Sequence, residues 1–287
     1  MGSKEKQLGA FLAASVQAAG EASHRPLVEG GVVDDINPAG QGRVLLVCEH
    51  ASNAIPPVFA DLGLGPDLRE SHIAWDPGAL PVAKALSAAL DARLIAQRVS
   101  RLVYDCNRPP QADSAIPELS EIHEIPGNRG LTEADRKARV EQVYEPFRRA
   151  VAEALEARLE SDSVPVLVTV HSFTPVYEGR RRNVDVGILC DADSRLAEAV
   201  LAVAARRREL AVRLNEPYGP ADGVTHTLAE QALPRGLLNV MIEIRNDLIV
   251  EAPARKAMGD WLADCIGQAL GELGAASADS GPRRSIG

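Results

Sequence analysis

Three apolar runs, each ending in or carrying a residue type common in catalysis, constrain the fold of this 287-residue chain more than any other feature. They read RVLLVCEH at residues 43–50, VPVLVTVHS at 164–172 and LLNVMIEIRN at 237–246. Continuous aliphatic and β-branched runs are typical of strands buried on both faces of a parallel sheet. Ligands of open α/β sheets bind where such strands end. The sequence therefore predicts that His50, His171 and Glu243 lie close together at one edge of a sheet.

The segments between the strands have the apolar spacing of helices that pack on a sheet. Helices are predicted over residues 79–91, 132–160, 194–207 and 252–270, and Thr132 with Asp135 resembles a capping box at the start of the longest one. Strands that alternate with helices predict an α/β fold, a three-layer sandwich with a mostly parallel central sheet.

One domain is predicted over residues 41–272. Residues 1–40 are poorly patterned, with a short helix expected at Gln7–Ala22, and residues 273–287 have the composition of a disordered tail. Residues 111–130 form a long connection without periodicity, which is typical of a functional lid or of disorder.

Charge and composition exclude several classes of protein. The net charge of −9 argues against a nucleic-acid or anionic-membrane surface, because such surfaces need clustered Lys and Arg. The triplet Arg180–Arg182 is the local exception, and it is interpreted either as a solvated loop or as a contact for an anionic substrate. Four scattered cysteines indicate reduced packing residues. Without a signal peptide or a membrane-length apolar stretch, we expect a cytoplasmic protein.

The two strand-end histidines form a candidate metal pair, because neutral imidazole is a common zinc ligand. Glu49, Asn53 and Asp76 are the candidates for a third ligand; Asp76 is the better donor chemically, whereas a neutral amide binds zinc weakly. Glu243 would act as the general base. The structural alternative remains open at this stage, since a histidine at a strand end is often only a hydrogen-bonded core residue.

Several cationic and amide side chains near these strands are candidates for stabilising an oxyanion or binding a substrate carboxylate, for which a guanidinium is well suited. They are Arg101, Asn107, Arg108 and Arg245. Glu243 and Arg245 are alternatively a simple ion pair, and Asp105 is interpreted as a residue that terminates a strand.

The motifs VCEHASN, SHIAWDPGA, SRLVYDCNRP, EIPGN, VTVHSF and MIEIRNDLI, in this order and spacing, resemble the N-formylglutamate amidohydrolase family. The resemblance runs from about Val44 to Leu270. It implies an enzyme that hydrolyses the N-acyl amide of an amino acid, such as N-formyl-L-glutamate. That family in turn resembles zinc carboxypeptidases and aspartoacylases. The resemblance implies a zinc-carboxypeptidase-like (phosphorylase/hydrolase-like) fold and a divalent metal, zinc by preference. It also implies a small-molecule N-acyl amino acid as the substrate, and it leaves the oligomeric state open.

The resemblance also implies roles for individual residues. His50 and His171 would be metal ligands, Glu243 the general base, Arg101 the group that polarises the carbonyl, and Asn107 with Arg108 the clamp for a substrate carboxylate. Arg245 of the final E-x-R and Asn128 of EIPGN would also bind substrate.

One departure from the related H-x-x-E pattern matters, because Asn53 stands where the second ligand is expected. Either Asp76 replaces it, or the metal binds more weakly, or the metal is not zinc. A related zinc carboxypeptidase or N-acyl-amino-acid deacylase, and a catalytically silent binding protein, are the alternative functions.

Overall fold

The computed structural model describes residues 30–161 and 164–279, which form a seven-stranded sheet covered by helices on both faces. The strands of this sheet lie in the order β1 (Val33–Ile36), β3 (Arg93–Gln97), β2 (Val44–Cys48), β6 (Val166–Phe173), β11 (Asn239–Arg245), β9 (Val186–Leu189) and β10 (Val212–Leu214). Strands β3, β2, β6 and β11 are mutually parallel. Strand β1 pairs antiparallel with β3, and β9 pairs antiparallel with β11 but parallel with β10. The prediction of a mostly parallel α/β sheet is confirmed. Two short ribbons lie outside it, β4 (Leu119–Ser120) with β5 (His123–Glu124) and β7 (Val176–Tyr177) with β8 (Arg180–Arg181).

The three apolar runs become the adjacent central strands β2, β6 and β11, and their register brings the predicted site together. His171 of β6 lies opposite Glu243 of β11, and Val47 of β2 lies opposite Thr169 of β6. His50 follows three residues after Val47 and therefore reaches the same level of the sheet edge.

Both faces of the sheet are buried, because successive side chains of a strand point to opposite sides. Val44 and Leu46 of β2 pack into one core with helices α2 (Ala79–Leu90), α5 (Arg195–Arg207) and α6 (Ala252–Asp279). Leu45 and Val47 pack into the other core, against residues 140–160. Each fully buried aliphatic side chain contributes about 1.5–3 kcal/mol to folding, so the two cores stabilise the strands that carry the site residues.

The segment predicted as the longest helix is divided in the structure. It consists of α3 (Glu133–Arg139), a π-helical turn (Val140–Tyr144) and α4 (Glu145–Glu160). The remaining α-helix, α1 (Pro66–Glu70), is a short one that follows β2 in the chain. Pro146 has no backbone N–H and cannot continue the regular ladder, which accounts for the wide turn before it. The capping box of Thr132 and Asp135 is present. The longest helix among the described residues is α6.

Two elements of the structure lie wholly or partly outside residues 41–272. Strand β1 falls within residues 1–40, and its Asp35 binds Arg93 of β3 at 2.7 Å. Helix α6 ends at Asp279 and so includes the first residues of the segment predicted to be disordered. The helix expected at Gln7–Ala22 lies outside the described residues.

All four cysteines are buried and free, as predicted. In the described part of the chain, no helix has the length and apolar character needed to cross a bilayer.

Candidate functional site

Three side chains aim one atom each at a common point on the edge of the sheet. Nδ1 of His171 lies 3.2 Å from Nδ1 of His50 and 3.0 Å from Oδ2 of Asp76, and His50 Nδ1 lies 3.3 Å from the same oxygen. All three residues are buried. The prediction that the histidines meet is therefore confirmed, and Asp76, one of the three alternatives, joins them.

Backbone contacts fix the position of Asp76. Its N–H donates to the carbonyl of His50 at 2.9 Å, and the N–H of Ser172 donates to its Oδ2 at 3.2 Å. The Ser172 hydroxyl also donates to the carbonyl of Pro77. The loop after β2 is thus tied to the ends of both β2 and β6.

A second carboxylate lies behind each histidine. Asp105 Oδ1 lies 2.7 Å from Nε2 of His50, and Glu49 Oε2 lies 3.1 Å from Nε2 of His171. Such carboxylates fix the ring orientation and raise the basicity of the nitrogen on the other side of a ligand imidazole. Glu49, a candidate ligand from sequence, therefore lies behind a ligand instead of joining the cluster.

Charge on the cluster favours a cation. Burial alone would lower the pKa of His171, but Glu49 and Asp76 raise it well above its ordinary value. Burial opposes ionisation of Asp76 too, yet His50 and His171 hold its pKa well below its usual range. A positive charge is thus stabilised where the three donor atoms meet.

The donor set fits a divalent metal ion. Two imidazoles and a carboxylate are ligands that zinc accepts, and a tetrahedron with bonds of about 2.0 Å has edges of about 3.3 Å, close to the observed separations of 3.0–3.3 Å. With both imidazoles neutral, as metal ligation requires, the surrounding Glu49, Asp76 and Asp105 carry two more negative charges than Arg101 neutralises, before Glu243 is counted, and a divalent ion would balance these two charges. Among the described residues, His50, Asp76 and His171 are the group that could hold a metal.

Glu243 lies beside this group, opposite His171 in the strand register. It is 5% exposed, and within the described residues its Oε2 has no hydrogen-bond partner. Burial, and next the charge of Asp76, raise the pKa of Glu243 to about 7. A carboxyl group with this pKa exchanges protons readily at neutral pH, as a general base requires.

Arg101 bridges Asp76 of the metal cluster and Asp105, which lies behind His50. One guanidinium nitrogen donates to Asp105 Oδ2 at 2.8 Å and another lies 3.4 Å from Asp76 Oδ1. Burial would lower the pKa of Arg101, but Asp105 and Asp76 raise it, so the cation is permanent.

A cavity of about 330 Å³ opens in front of these groups. Arg108 lines it and is anchored by donation to the carbonyls of Asn107 and Gly223. The long connection also lines the cavity, through Pro117, Leu119, Ser120 and Glu121, and His72 binds Glu121 there at 2.8 Å.

Four residues predicted to bind metal or substrate have their polar atoms engaged elsewhere. Asn53 donates to the carbonyl of Arg69 and does not line the cavity, so the structure gives it no part in the metal cluster. Asn107 lines the cavity, but its amide bonds to Val224 and Thr227 and so holds that loop in place.

The other two lie away from the cavity altogether. Asn128 donates to the carbonyls of Leu102 and Pro117 and accepts from Arg139. Arg245 forms ion pairs with Asp185 and Asp247 at 2.7 Å each, and so its interpretation as a partner of Glu243 is wrong.

Two residues of the site were not found from sequence. Asp105 was interpreted as a strand terminator, although the spacing Arg101-x-x-x-Asp105 already allows the ion pair that the structure contains. Tyr218 lines the cavity from the loop after β10, where its neighbours NEPYG contain no pattern that indicates a site.

Comparison with known proteins assigns this arrangement to a family. A sequence model described as N-formylglutamate amidohydrolase matches residues 42–250, which include every residue of the cluster. The chain belongs to the N-formylglutamate amidohydrolase family. It is therefore a hydrolase that acts on amide bonds, and the resemblance inferred from the motifs is confirmed.

Two solved structures are similar to this chain. A gene product of Agrobacterium tumefaciens shares 54% identity with a TM-score of 0.85, over 87% of this chain and all of its own. An N-formylglutamate amidohydrolase from Ralstonia eutropha shares the fold at 19% identity and a TM-score of 0.56, over 87% of this chain and 99% of its own. No protein with a curated description matches the sequence.

Proposed function

We propose that this member of the family hydrolyses the N-acyl amide of an amino acid, with N-formyl-L-glutamate as the model substrate and formate and the free amino acid as products. The observation that carries the proposal is the convergence of His50, Asp76 and His171 beside a buried carboxyl group with a pKa of about 7. The cavity of about 330 Å³ is large enough to hold an acylated amino acid.

A divalent metal, which the ligand types favour as zinc, would be held by His50 Nδ1, Asp76 Oδ2 and His171 Nδ1. When bound, such an ion supplies Lewis acidity that makes a water molecule more acidic and an amide carbonyl more electrophilic. Glu49 and Asp105 hold the two rings in the orientation that this requires.

Glu243 moves the proton. As the water attacks the amide carbon, the Glu243 carboxylate accepts its proton, and the resulting carboxylic acid donates that proton to the leaving nitrogen. Burial raises the pKa of Glu243 toward neutrality, which suits both steps because it brings the acid and base forms closer in free energy at neutral pH.

The two arginines of the cavity have separate tasks. Arg101 is fixed by Asp76 and Asp105 and lines the cavity, where its positive charge would stabilise the negative charge that develops on the carbonyl oxygen. Arg108 forms no close ion pair among the described residues and is the group that we assign to the substrate carboxylate. The amide of Asn107 is already bonded, so the clamp predicted from sequence is reduced to Arg108.

The variant Glu243→Gln tests the proposal directly. It removes the base with almost no change in shape, so we expect metal content after dialysis to equal that of the wild type and kcat to fall by about 10²–10⁴-fold. Glu251→Gln, at an exposed glutamate, is the matched control and should retain full activity. Wild-type turnover by Glu243→Gln would exclude this role.

Substrate profiling separates the alternatives. Formyl-, acetyl- and succinyl-glutamate and short glutamyl peptides should be compared with metal-loaded and chelator-treated protein. Preference for peptides would indicate a carboxypeptidase, and preference for a longer acyl group a deacylase. A silent binding protein would hydrolyse none of them; Asn53 favoured that alternative, but Asp76 now supplies the donor that Asn53 lacks.

A further inference from the structure

One member of the arginine triplet has a position that the proposed function does not use. The guanidinium carbon of Arg182 lies 4.6 Å from the ring centre of Tyr177, 4.7 Å from that of Tyr218 and 5.5 Å from that of Phe173. Arg180 and Arg181 are exposed on β8. The triplet is thus neither a uniform solvated face nor a group of ligands for substrate, because Arg182 is enclosed by aromatic rings.

Arg182 also fixes the hydroxyl group of Tyr218. Its guanidinium donates to Tyr218 Oη at 2.8 Å. An arginine has no acceptor, so the hydroxyl must use a lone pair in this contact and keeps its own proton for another partner. The rings around Arg182 restrict the direction of the guanidinium and therefore the direction in which the phenol can donate.

The Tyr218 side chain lines the cavity together with Arg101 and Glu243. Burial, and next the Glu243 carboxylate, raise the pKa of Tyr218 to about 12, while Arg182 and Arg101 lower it. The phenol is therefore protonated at neutral pH and within electrostatic reach of the two groups that face the reacting amide.

From this geometry we propose that Tyr218 is a further catalytic residue, which donates a hydrogen bond to the acyl oxygen of the bound amide, and that Arg182 is its positioning residue. The proposal rests on the proposed function, because it places Tyr218 opposite the same amide that Glu243 and Arg101 serve. The oxygen gains negative charge during attack, so the hydrogen bond is strongest in the transition state.

Tyr218→Phe removes the donor and keeps the ring that stacks on Arg182. We expect kcat/KM to fall by about 100-fold, mainly through kcat. In the Glu243→Gln background, where the substrate stays intact, adding Tyr218→Phe should raise the substrate Kd by only about 2- to 10-fold, the effect of one neutral hydrogen bond. A Tyr218→Phe enzyme with a kcat/KM within threefold of the wild type would overturn the catalytic role.

Arg182→Gln tests the positioning role by a double-mutant cycle. Alone it should lower kcat by about 10-fold, and combined with Tyr218→Phe it should cause no loss beyond that of Tyr218→Phe alone, because it acts only through the missing hydroxyl. Arg182→Lys keeps the positive charge but lacks the planar guanidinium, so its kcat should be little higher than that of Arg182→Gln. Losses that multiply in the double variant would overturn the positioning role. Arg181→Gln, at the exposed neighbour, is the matched control and should have no effect.

The binding measurement keeps this inference distinct from the proposed function. If the wild type hydrolyses none of the N-acyl amino acids, the proposed function fails by itself. The Kd of metal-loaded protein for N-formyl-L-glutamate would still be compared with and without Tyr218→Phe, and an unchanged Kd would overturn the contact. If Glu243→Gln is inactive while Tyr218→Phe retains wild-type kinetics, only the inference about Tyr218 fails.

Discussion

Glu49→Gln isolates the contribution of a carboxylate that does not itself reach the metal cluster. Glu49 is 1% exposed, and its Oε2 lies 3.1 Å from Nε2 of His171. Glutamine has nearly the same volume, so the substitution removes the charge with little change in packing. The expected result is weaker metal binding by a site whose three donor atoms are all unchanged.

The magnitude follows from the distance. A full positive charge on the ring would interact with the carboxylate by roughly 5 kcal/mol at 3.1 Å and an effective dielectric constant of about 20. A ligand imidazole carries only part of the charge of the ion, so the effect should be smaller. Loss of a carboxylate behind a ligand histidine typically weakens metal binding by about 10–100-fold, which corresponds to about 1.4–2.7 kcal/mol, roughly a quarter to a half of that limit.

The assay is competition for zinc between the protein and a chromogenic chelator, with Kd compared between Glu49→Gln, wild type and the exposed control Glu251→Gln. The control should bind zinc like the wild type. A Glu49→Gln Kd within twofold of the wild type would refute the argument that the buried charge behind His171 strengthens the site. Unfolding of the metal-free proteins in denaturant should be recorded in parallel, so that a general loss of stability is recognised.

Three further outcomes are expected. Glu243 works in its ionised form, and a nearby divalent ion would lower its pKa of about 7. Protonation of Glu243 should therefore make log kcat/KM fall as the pH decreases, with a midpoint at or below pH 7. An acidic limb with its midpoint above pH 7 would contradict the assignment. Arg108→Gln should raise KM for N-formylglutamate by about 10-fold or more with little change in kcat, since a charged hydrogen bond to the carboxylate is lost; an unchanged KM in steady-state assays would exclude that contact. Gly187→Ala should lower the free energy of unfolding by about 1–3 kcal/mol in urea titrations, because its Cβ would lie 2.0 Å from the carbonyl oxygen of Glu216, and an unaltered midpoint would show that the loop yields freely.

The parts of the site that lie on strands were predictable from sequence. His50, His171 and Glu243 follow or end apolar runs, and the carboxyl ends of neighbouring parallel strands share one edge, so their meeting follows from topology. Strand β1 was missed because an edge strand with exposed Asp34 and Asp35 lacks the apolar run that marked the central strands.

The parts that lie on loops were not predictable to the same degree. The choice of Asp76 over Asn53 depends on a loop that the N–H of Asp76 and the N–H of Ser172 tie to the sheet, and such contacts leave no periodic signal. Asn128 belongs to a recognisable motif, yet its side chain bonds to Leu102 and Arg139. A sequence motif does not distinguish a residue that contacts substrate from one that holds a loop in place. Tyr218 had no signal at all.

The spacing of the three donor residues along the chain has a consequence for folding. His50 and Asp76 are 26 residues apart, Asp76 and His171 are 95 apart, and His50 and His171 are 121 apart. An ion that joins them therefore acts as a cross-link between distant segments, and it binds the folded chain far better than the open one, where those segments rarely meet. The melting temperature should accordingly rise with zinc concentration, which would make heat resistance a convenient gauge of how fully the protein is loaded.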